Sequence, residues 1–347
     1  VTDTEKPPRR PRYSGKNPRR FHEKYKELNP DRYQSDVQKI VESGKTPAGM
    51  HRAIMVDEVL QALAPVPGEL AVDCTLGFGG HARAILERIQ PGGRLIGLDV
   101  DPLELPRTEA RLRASGFSEA AFSAHRSNFA GLLQVLAKEG VAGADVILAD
   151  LGISSMQLDN PARGFTYKHA GPLDMRMNPS RGEPASQLVS HLSVDKLARL
   201  LVDHADEPDA RPIAMALKAQ PIATTLELSH RVKAAVVGER PKATDAEVEK
   251  SIRRTFQALR VAVNDEFSAL DTFLRNLPAC LAPGGRVVVL TFHSGEDRRV
   301  KQALEAGHRD GSYVTIADEV LRPSAGEVRA NPRAGAAKLR WARRREN

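Results

Sequence analysis

Between residues 68 and 101 the chain passes twice from a short apolar run into a polar turn. Leu70-Ala71-Val72 ends in Asp73, and a glycine loop follows, Gly77-Phe78-Gly79-Gly80. Ala82, Ile85, Leu86 and Ile89 then recur at helical spacing, giving one apolar face. Pro91-Gly92-Gly93 stops that helix, and Leu95-Ile96-Gly97-Leu98 runs into Asp99. Strand, glycine turn, helix, strand predicts a right-handed βαβ unit with parallel strands.

The same pattern reading organises the rest. An amphipathic helix is predicted over His51 to Leu63, a second helix from Pro102 to about Ser115, and a short strand over Phe122 to His125. Ala144 to Asp150 reads as a buried strand with an acid at its end, opening into the polar loop Leu151 to Asp159. Arg163-Gly164-Phe165 and Gly171 to Met177 are irregular segments of the kind that carry function in compact domains. From about 180 to 248 three helices are expected: one lined by Leu188, Leu192, Leu197, Leu200 and Leu201, one by Ile213, Ala214 and Leu217, one by Leu228, Val232, Ala235 and Val236. Three are too many for one crossover, so this block reads as an inserted helical subdomain. One long helix is expected over 251–281, with Phe256, Leu259, Val263, Phe267, Leu270 and Leu274 on one face. A buried strand over Arg286 to Leu290 follows, with Thr291 to Arg298 at its carboxyl end. The predicted organisation is a basic tail over 1–47, an α/β core over 48–160 and 250–347, and a helical substrate-recognition subdomain over 161–249.

Composition narrows the class. Hydrophobic residues make up 41% of the 347, enough for a substantial core, and no apolar run approaches membrane-spanning length. Cys74 and Cys280 are far apart and suggest neither a disulfide framework nor a zinc site. With no apolar segment of the secretory type in the first residues, the expected compartment is the cytoplasm. The net charge of +7 is uneven. Residues 1–50 carry 12 Lys/Arg against 7 Asp/Glu, residues 322–347 carry 8 against 2, and the body between carries 31 against 35. Basic ends on an acidic body suit a polyanion such as nucleic acid, or are simply solvated. Tyr13, Phe21, Tyr25 and Tyr33 lie among the basic residues of the tail, where they could stack on bases.

The glycines permit a tight turn and close approach of backbone to a ligand. The helix beyond them offers free N–H groups, and Asp99 stands where a carboxylate can accept both hydroxyls of a ribose. A nucleoside-containing cofactor is predicted at the carboxyl ends of the strands. Gly77 to Ala82 also fits the dinucleotide fingerprint, so a nicotinamide-dependent oxidoreductase is one reading. S-adenosylmethionine is the other: Asp73 could meet a ligand's ammonium group, whereas a carboxylate beside a pyrophosphate is repelled. Phe129 is placed to lie against a cofactor ring or to serve as an ordinary core residue. His293 has no nucleophile motif or metal-ligand spacing around it and reads equally as structural or catalytic. Asp150 and the Ser154-Ser155 loop lie on the same edge as the glycine turn, and Arg163, Asp174 and Arg176 follow in a segment too polar for core. A non-catalytic RNA-binding assembly factor is the third reading.

These segments resemble the bacterial small-subunit ribosomal RNA cytosine-N4 methyltransferases, the RsmH/MraW family. The resemblance is carried by His51 with Asp57 to Leu60, Asp73-x-Thr75-x-Gly77-x-Gly79-Gly80-His81, Asp99-x-Asp101-Pro102, and Asp150 to Asp159. Arg163-Gly164-Phe165, Gly171 to Met177, Thr255 to Asn264, Phe292 to Arg298 and Asn331 to Arg340 complete it. Met156, Gly295, Ala336 and Ser251 to Arg253 depart from the family's usual residues, and the N-terminal extension lies outside the shared pattern. The resemblance implies a class I S-adenosylmethionine-dependent methyltransferase (Rossmann-like) fold with an inserted all-helical subdomain. It implies cofactor contacts at Gly79, Gly80, His81, Asp99, Phe129, Asp150 and Gln157. It implies N4-methylation of a cytosine near the decoding site, with 16S ribosomal RNA in the small subunit as partner. Asp150 is then the catalytic candidate. Ser154, Ser155, Arg163, Asp174, Arg176, His293, Arg298, Lys338 and Arg340 are the candidate RNA contacts. No metal and no membrane partner are expected, and the oligomeric state is left open, a dimer included.

Overall fold

Seven strands among the described residues form one sheet in the order β3-β2-β1-β4-β5-β7-β6. They are β1 (Leu70–Asp73), β2 (Arg94–Asp99), β3 (Phe122–Arg126), β4 (Ala144–Asp150), β5 (Leu281–Thr291), β6 (Tyr313–Ile316) and β7 (Lys338–Arg344). The first five pair in parallel, while β7 runs antiparallel to both β5 and β6. This computed structural model describes residues 53–346; the basic tail and His51 lie outside the described residues.

Strand order reverses at β1, which has β2 on one side and β4 on the other. Chains leaving the two carboxyl ends diverge there and open a crevice. The central strands are apolar throughout because both faces are covered. Val72, Ile96, Ile147 and Val287 face one layer, with Leu132, Phe273 and Val300 packed on them. Their neighbours Ala71, Leu95, Val146 and Val288 face the other, against Met55, Ile85 and Ile89. The alternation is the period-two geometry of a strand.

The expected helix over His51 to Leu63 begins, as described, at α1 (Val56–Leu63). The helix of the βαβ unit is α2 (Gly80–Ile89), followed by α3 (Glu104–Ala114), α4 (Leu132–Lys138) and the one-turn α5 (Ser155–Asp159). Between β4 and β5 lie α6 (Ala185–His191), α7 (Val194–Ala205), α8 (Ala210–Lys218), α9 (Thr225–Glu239), α10 (Asp245–Val263) and α11 (Glu266–Cys280). α12 (Ser294–Arg309) and α13 (Ala325–Ala330) follow β5 and β6. A separate hydrophobic cluster runs from Phe165 to Leu259 and draws on α6 to α10.

Two expected helices are each divided. The leucine-lined stretch 188–201 breaks at Leu192, because Ser193 caps α7 by accepting from Lys196 N. The single helix over 251–281 is α10 and α11, separated at Asn264-Asp265, where Asp265 has φ +49°. Asn264 spends its side chain elsewhere: it accepts from Met177 N at 2.7 Å and donates to the Met175 carbonyl at 2.8 Å. A tertiary contact of this kind ends a helix that periodicity alone continues. No helix among the described residues is long and apolar enough to cross a membrane.

Candidate active site

Asp73, Asp99 and Asp150 stand at the carboxyl ends of β1, β2 and β4. The chain leaving β1 threads between the flanking strands: Cys74 N donates to Leu148 O and Leu76 N to Leu98 O, both at 2.8 Å. Thr75 Oγ1 accepts from Asp150 N at 2.7 Å, and Thr75 N donates to Asp73 Oδ1 at 3.0 Å. Gly77 N donates to Asp99 Oδ2 at 2.8 Å, so the glycine turn is tied to the acid that ends β2. Gly79 has φ +85°, and a Cβ there would lie 2.9 Å from Thr108 Cγ2. Conformation and packing both select glycine. Beyond it α2 presents its first N–H groups at the same edge.

The edge is rich in carboxylates. Burial, together with Glu296, pushes the Asp150 carboxyl up to about 7, and its Oδ1 is buried without a hydrogen-bond partner. Burial likewise raises Asp73 to about 6 and moves Asp99 upward. Asp73 is 1% exposed, which corrects its expected role at a ligand's ammonium group: it holds the turn through Thr75. His81 is buried, and burial lowers its pKa. Its Nε2 lies 2.9 Å from the Ile54 carbonyl and its Nδ1 3.6 Å from Asp150 Oδ2.

Glu296 stays ionised beside Asp150 although burial raises it, because a hydrogen bond from His293 and the charge of Arg260 outweigh that. Glu266, His293 and Glu296 are close enough to ligate an ion. Arg260 engages both oxygens of Glu266, at 2.8 and 2.9 Å, so the carboxylates of the group already have a counter-charge. His293 also caps α12 by accepting from Glu296 N at 3.4 Å, which favours its structural reading.

Gly79, Gly80, His81, Asp99 and Asp150 converge on the sheet edge, whereas other expected residues serve different ends. Gln157 is buried; it forms a capping box with Ser154 and donates to Asp101 Oδ2 at 2.8 Å. Arg163, expected against RNA, is 8% exposed and donates to Asp101 at 2.7 Å and to the carbonyls of Arg176 and Met177. Phe129 is half-buried and meets Phe273 edge-on at 5.6 Å, favouring its core reading. Asp174 and Arg176 form a bidentate pair, and exposed Arg298 pairs with Asp206. Lys338 and Arg340, two apart on β7, both hold Asp297, at 2.8 and 2.7 Å. Ser155 is half-buried at the start of α5. Sequence reasoning assigned no role to Asp101, Thr75, Glu296 or Asn264. The Asp99-x-Asp101-Pro102 spacing was the available signal for Asp101, since an acid before proline often caps its own turn.

The family described as the MraW methylase family matches residues 48–345. Ribosomal RNA small subunit methyltransferase H 2 of Alkaliphilus metalliredigens is 46% identical over 343 residues, covering 97% of this chain and 98% of that protein. Ribosomal RNA small subunit methyltransferase H 1 of Agathobacter rectalis is 45% identical with the same coverage. Ribosomal RNA small subunit methyltransferase H of an Anaeromyxobacter species is 41% identical over 306 residues, 84% of this chain. A match to 97% of the chain must reach into residues 1–47, so some relatives share the N-terminal extension, contrary to expectation.

Two outcomes follow from this geometry. Arg163→Ala leaves the Asp101 carboxylate buried and uncompensated, and should lower unfolding free energy by about 3 kcal/mol in urea melts; a loss under about 1 kcal/mol would show that the pair does not hold the loop. For Asp150 the folded pKa lies above the unfolded value of 3.8. Its stabilising contribution is therefore present below pH 4 and lost as pH rises through about 7. Asp150→Asn should stabilise the ligand-free protein at pH 8, by on the order of 1–2 kcal/mol, and much less at pH 4. Equal effects at both pH values would contradict the burial argument.

Proposed function

The chain belongs to the MraW methylase family, and from that membership we propose that it uses S-adenosylmethionine to methylate the N4 amine of a cytosine in small-subunit (16S) ribosomal RNA near the decoding site. The observation that carries the reading is the acid-ended strand pair Asp99 and Asp150 flanking the glycine turn. Membership of a methylase family removes the oxidoreductase reading, and the acidic edge agrees, because carboxylates repel a pyrophosphate. It also removes the non-catalytic assembly factor.

The residues fit this cofactor. Asp99 accepts two backbone N–H groups, from Gly77 and Asp101, and two carboxylate oxygens have lone pairs left for ribose hydroxyls. Gly79 and Gly80 let the turn pack against Thr108 and Ala53, and the buried unpartnered Oδ1 of Asp150 marks unsatisfied acceptor capacity at a site for a cationic ligand. When bound, S-adenosylmethionine supplies an electrophilic methyl group. The chain's own part is alignment and charge. A cytosine amine is a poor nucleophile because its lone pair is delocalised into the ring. A carboxylate accepting one amine N–H raises electron density on that nitrogen and offsets its developing positive charge. Asp150 is in position to do so from the end of β4, with the base presented out of its stack. His81 and Gln157 then support the site from behind, and Phe129 borders it.

For the RNA, the helices between β4 and β5 and the Gly171 to Met177 loop supply a recognition wall, within the proposed substrate-recognition subdomain of residues 161–249. Exposed Arg298 is the contact that side-chain exposure best supports, with the half-buried Ser154, Ser155 and Arg176 beside the loops. Arg163, Lys338 and Arg340 act on the protein itself. The basic tail adds phosphate contacts, and the enzyme works in the cytoplasm.

Asp99→Ala should weaken S-adenosylmethionine binding by about 1.5–3 kcal/mol in calorimetry; unchanged affinity in a folded variant would remove the ribose assignment. The activity itself is read with labelled S-adenosylmethionine and small subunits lacking the modification, the RNA being digested to nucleosides. Label is expected on the cytosine amine. Label only on ring carbon 5, on ribose oxygen or on protein would overturn the reading.

A further inference from the structure

Methylation of an amine leaves a proton to be removed, and the neighbourhood of Asp150 holds a group that the reading above uses only as support. His81 Nε2 lies 2.9 Å from the carbonyl of Ile54. A carbonyl oxygen only accepts, so Nε2 carries the hydrogen. In the neutral ring Nδ1 is then a bare lone pair. That lone pair faces Asp150 Oδ2 at 3.6 Å, a few tenths of an ångström beyond a hydrogen bond. The ring is 6% exposed, so water does not compete freely for it.

We propose that Asp150 and His81 form one proton-accepting pair, in which Asp150 takes the proton from the methylated amine and His81 Nδ1 draws it onward. The proposal rests on the amine-methylation reading above. The nitrogen lone pair forms the new N–C bond while the C–S bond breaks and its electron pair stays on sulfur. The N–H bond of the resulting ammonium then breaks, its pair returns to nitrogen, and the proton passes to an Asp150 oxygen and on to Nδ1.

Burial opposes a charge on His81, and the groups around it offset part of that cost. An imidazolium at His81 would lie between Asp150 on β4 and Asp73 on β1, with Glu327 of α13 also acting on it and the Ile54 carbonyl accepting from its other nitrogen. Asp150 faces Glu296 of α12, which disfavours its ionisation, and Asp73 in turn feels Asp99. Once the proton has reached His81, the cation offsets that crowding and lets Asp150 return to its ionised form. Asp150 is 27% exposed, so the proton returns to solvent by the same carboxylate once product leaves. His81 is thus a positioning residue that works through Asp150.

The test is single-turnover methyl transfer by the full chain at saturating S-adenosylmethionine, with small subunits lacking the modification, across about pH 6 to 9. His81→Gln carries an amide nitrogen about as far out as Nε2, able to donate to the Ile54 carbonyl, and has no acceptor at the Nδ1 position. It should lower the rate about tenfold near neutral pH and move the half-maximal pH down by about one unit, because the protonated carboxyl loses the acceptor that stabilises it. A variant that binds cofactor and keeps the wild-type midpoint would overturn the pair. The wild-type protein gives a reading that needs no variant: with 15N-histidine labelling, NMR should find His81 protonated on Nε2 and bare on Nδ1 near pH 8. A proton on Nδ1 in the neutral ring would overturn the proposal. If wild-type protein places no label on the cytosine amine, the methylation reading itself fails; transfer with an unshifted variant profile removes only the pair.

Discussion

A single buried carboxylate ties the cofactor edge to the helical layer. Asp101 is fully buried, and a charge in that position is tolerable only if its oxygens are filled. Oδ1 accepts from Leu103 N and Glu104 N, and Oδ2 from Gln157 Nε2 and Arg163 Nη1. Its own N–H donates to Asp99. Two stretches distant in sequence therefore have to meet at one point: the turn after β2, and the run from the capped helix α5 into the loop that leads to the helices. Arg163 continues the connection to the carbonyls of Arg176 and Met177, and Asn264 receives that loop where α10 gives way to α11. The sheet edge and the helical layer are held by one hydrogen-bonded frame.

The acids at the strand ends pull the other way. Asp73, Asp99 and Asp150 crowd one edge, and burial works against the ionisation of each. Arg260 and His293 hold Glu296 ionised, while His81 stands beside Asp150 with its pKa lowered by burial. The glycine spacing does not choose between the cofactor classes, because both need the same tight turn.

Charge counting misjudged the C-terminal segment for a related reason. Its excess of arginine and lysine suggested a surface for phosphate. In the fold Arg333 pairs with Asp159, Lys338 and Arg340 share Asp297, and Arg343 meets Glu346. Asp297 is held low despite its burial, by hydrogen bonds from Arg340 and Lys338. Three of its eight basic residues thus engage two acids contributed by other parts of the chain, and a tally along the sequence cannot see partners more than a hundred residues away, such as Asp159.

Local periodicity was enough for the strands that form the centre of the sheet, for α2, and for the acids at the ends of β1, β2 and β4, since a buried parallel strand and an amphipathic helix write their burial directly into residue order. It was not enough for helix ends set by distant groups. Asn264 looks like one more turn of helix until Met175 and Met177 claim its amide. Nor could it sort the polar residues of the loops. Arg163 and Arg176 read alike in sequence, yet one is locked on Asp101 and the other lies at a partly open edge with Asp174. Asp73 and Asp150 both end strands, and only the packing of the turn through Thr75 closes the first from solvent and leaves the second accessible beside His81. The sequence by itself determined which residue types would gather at the carboxyl edge. Tertiary structure decided which of them are free to meet a ligand, because hydrogen-bond partners far along the chain become neighbours only once the sheet and the helical layer have packed.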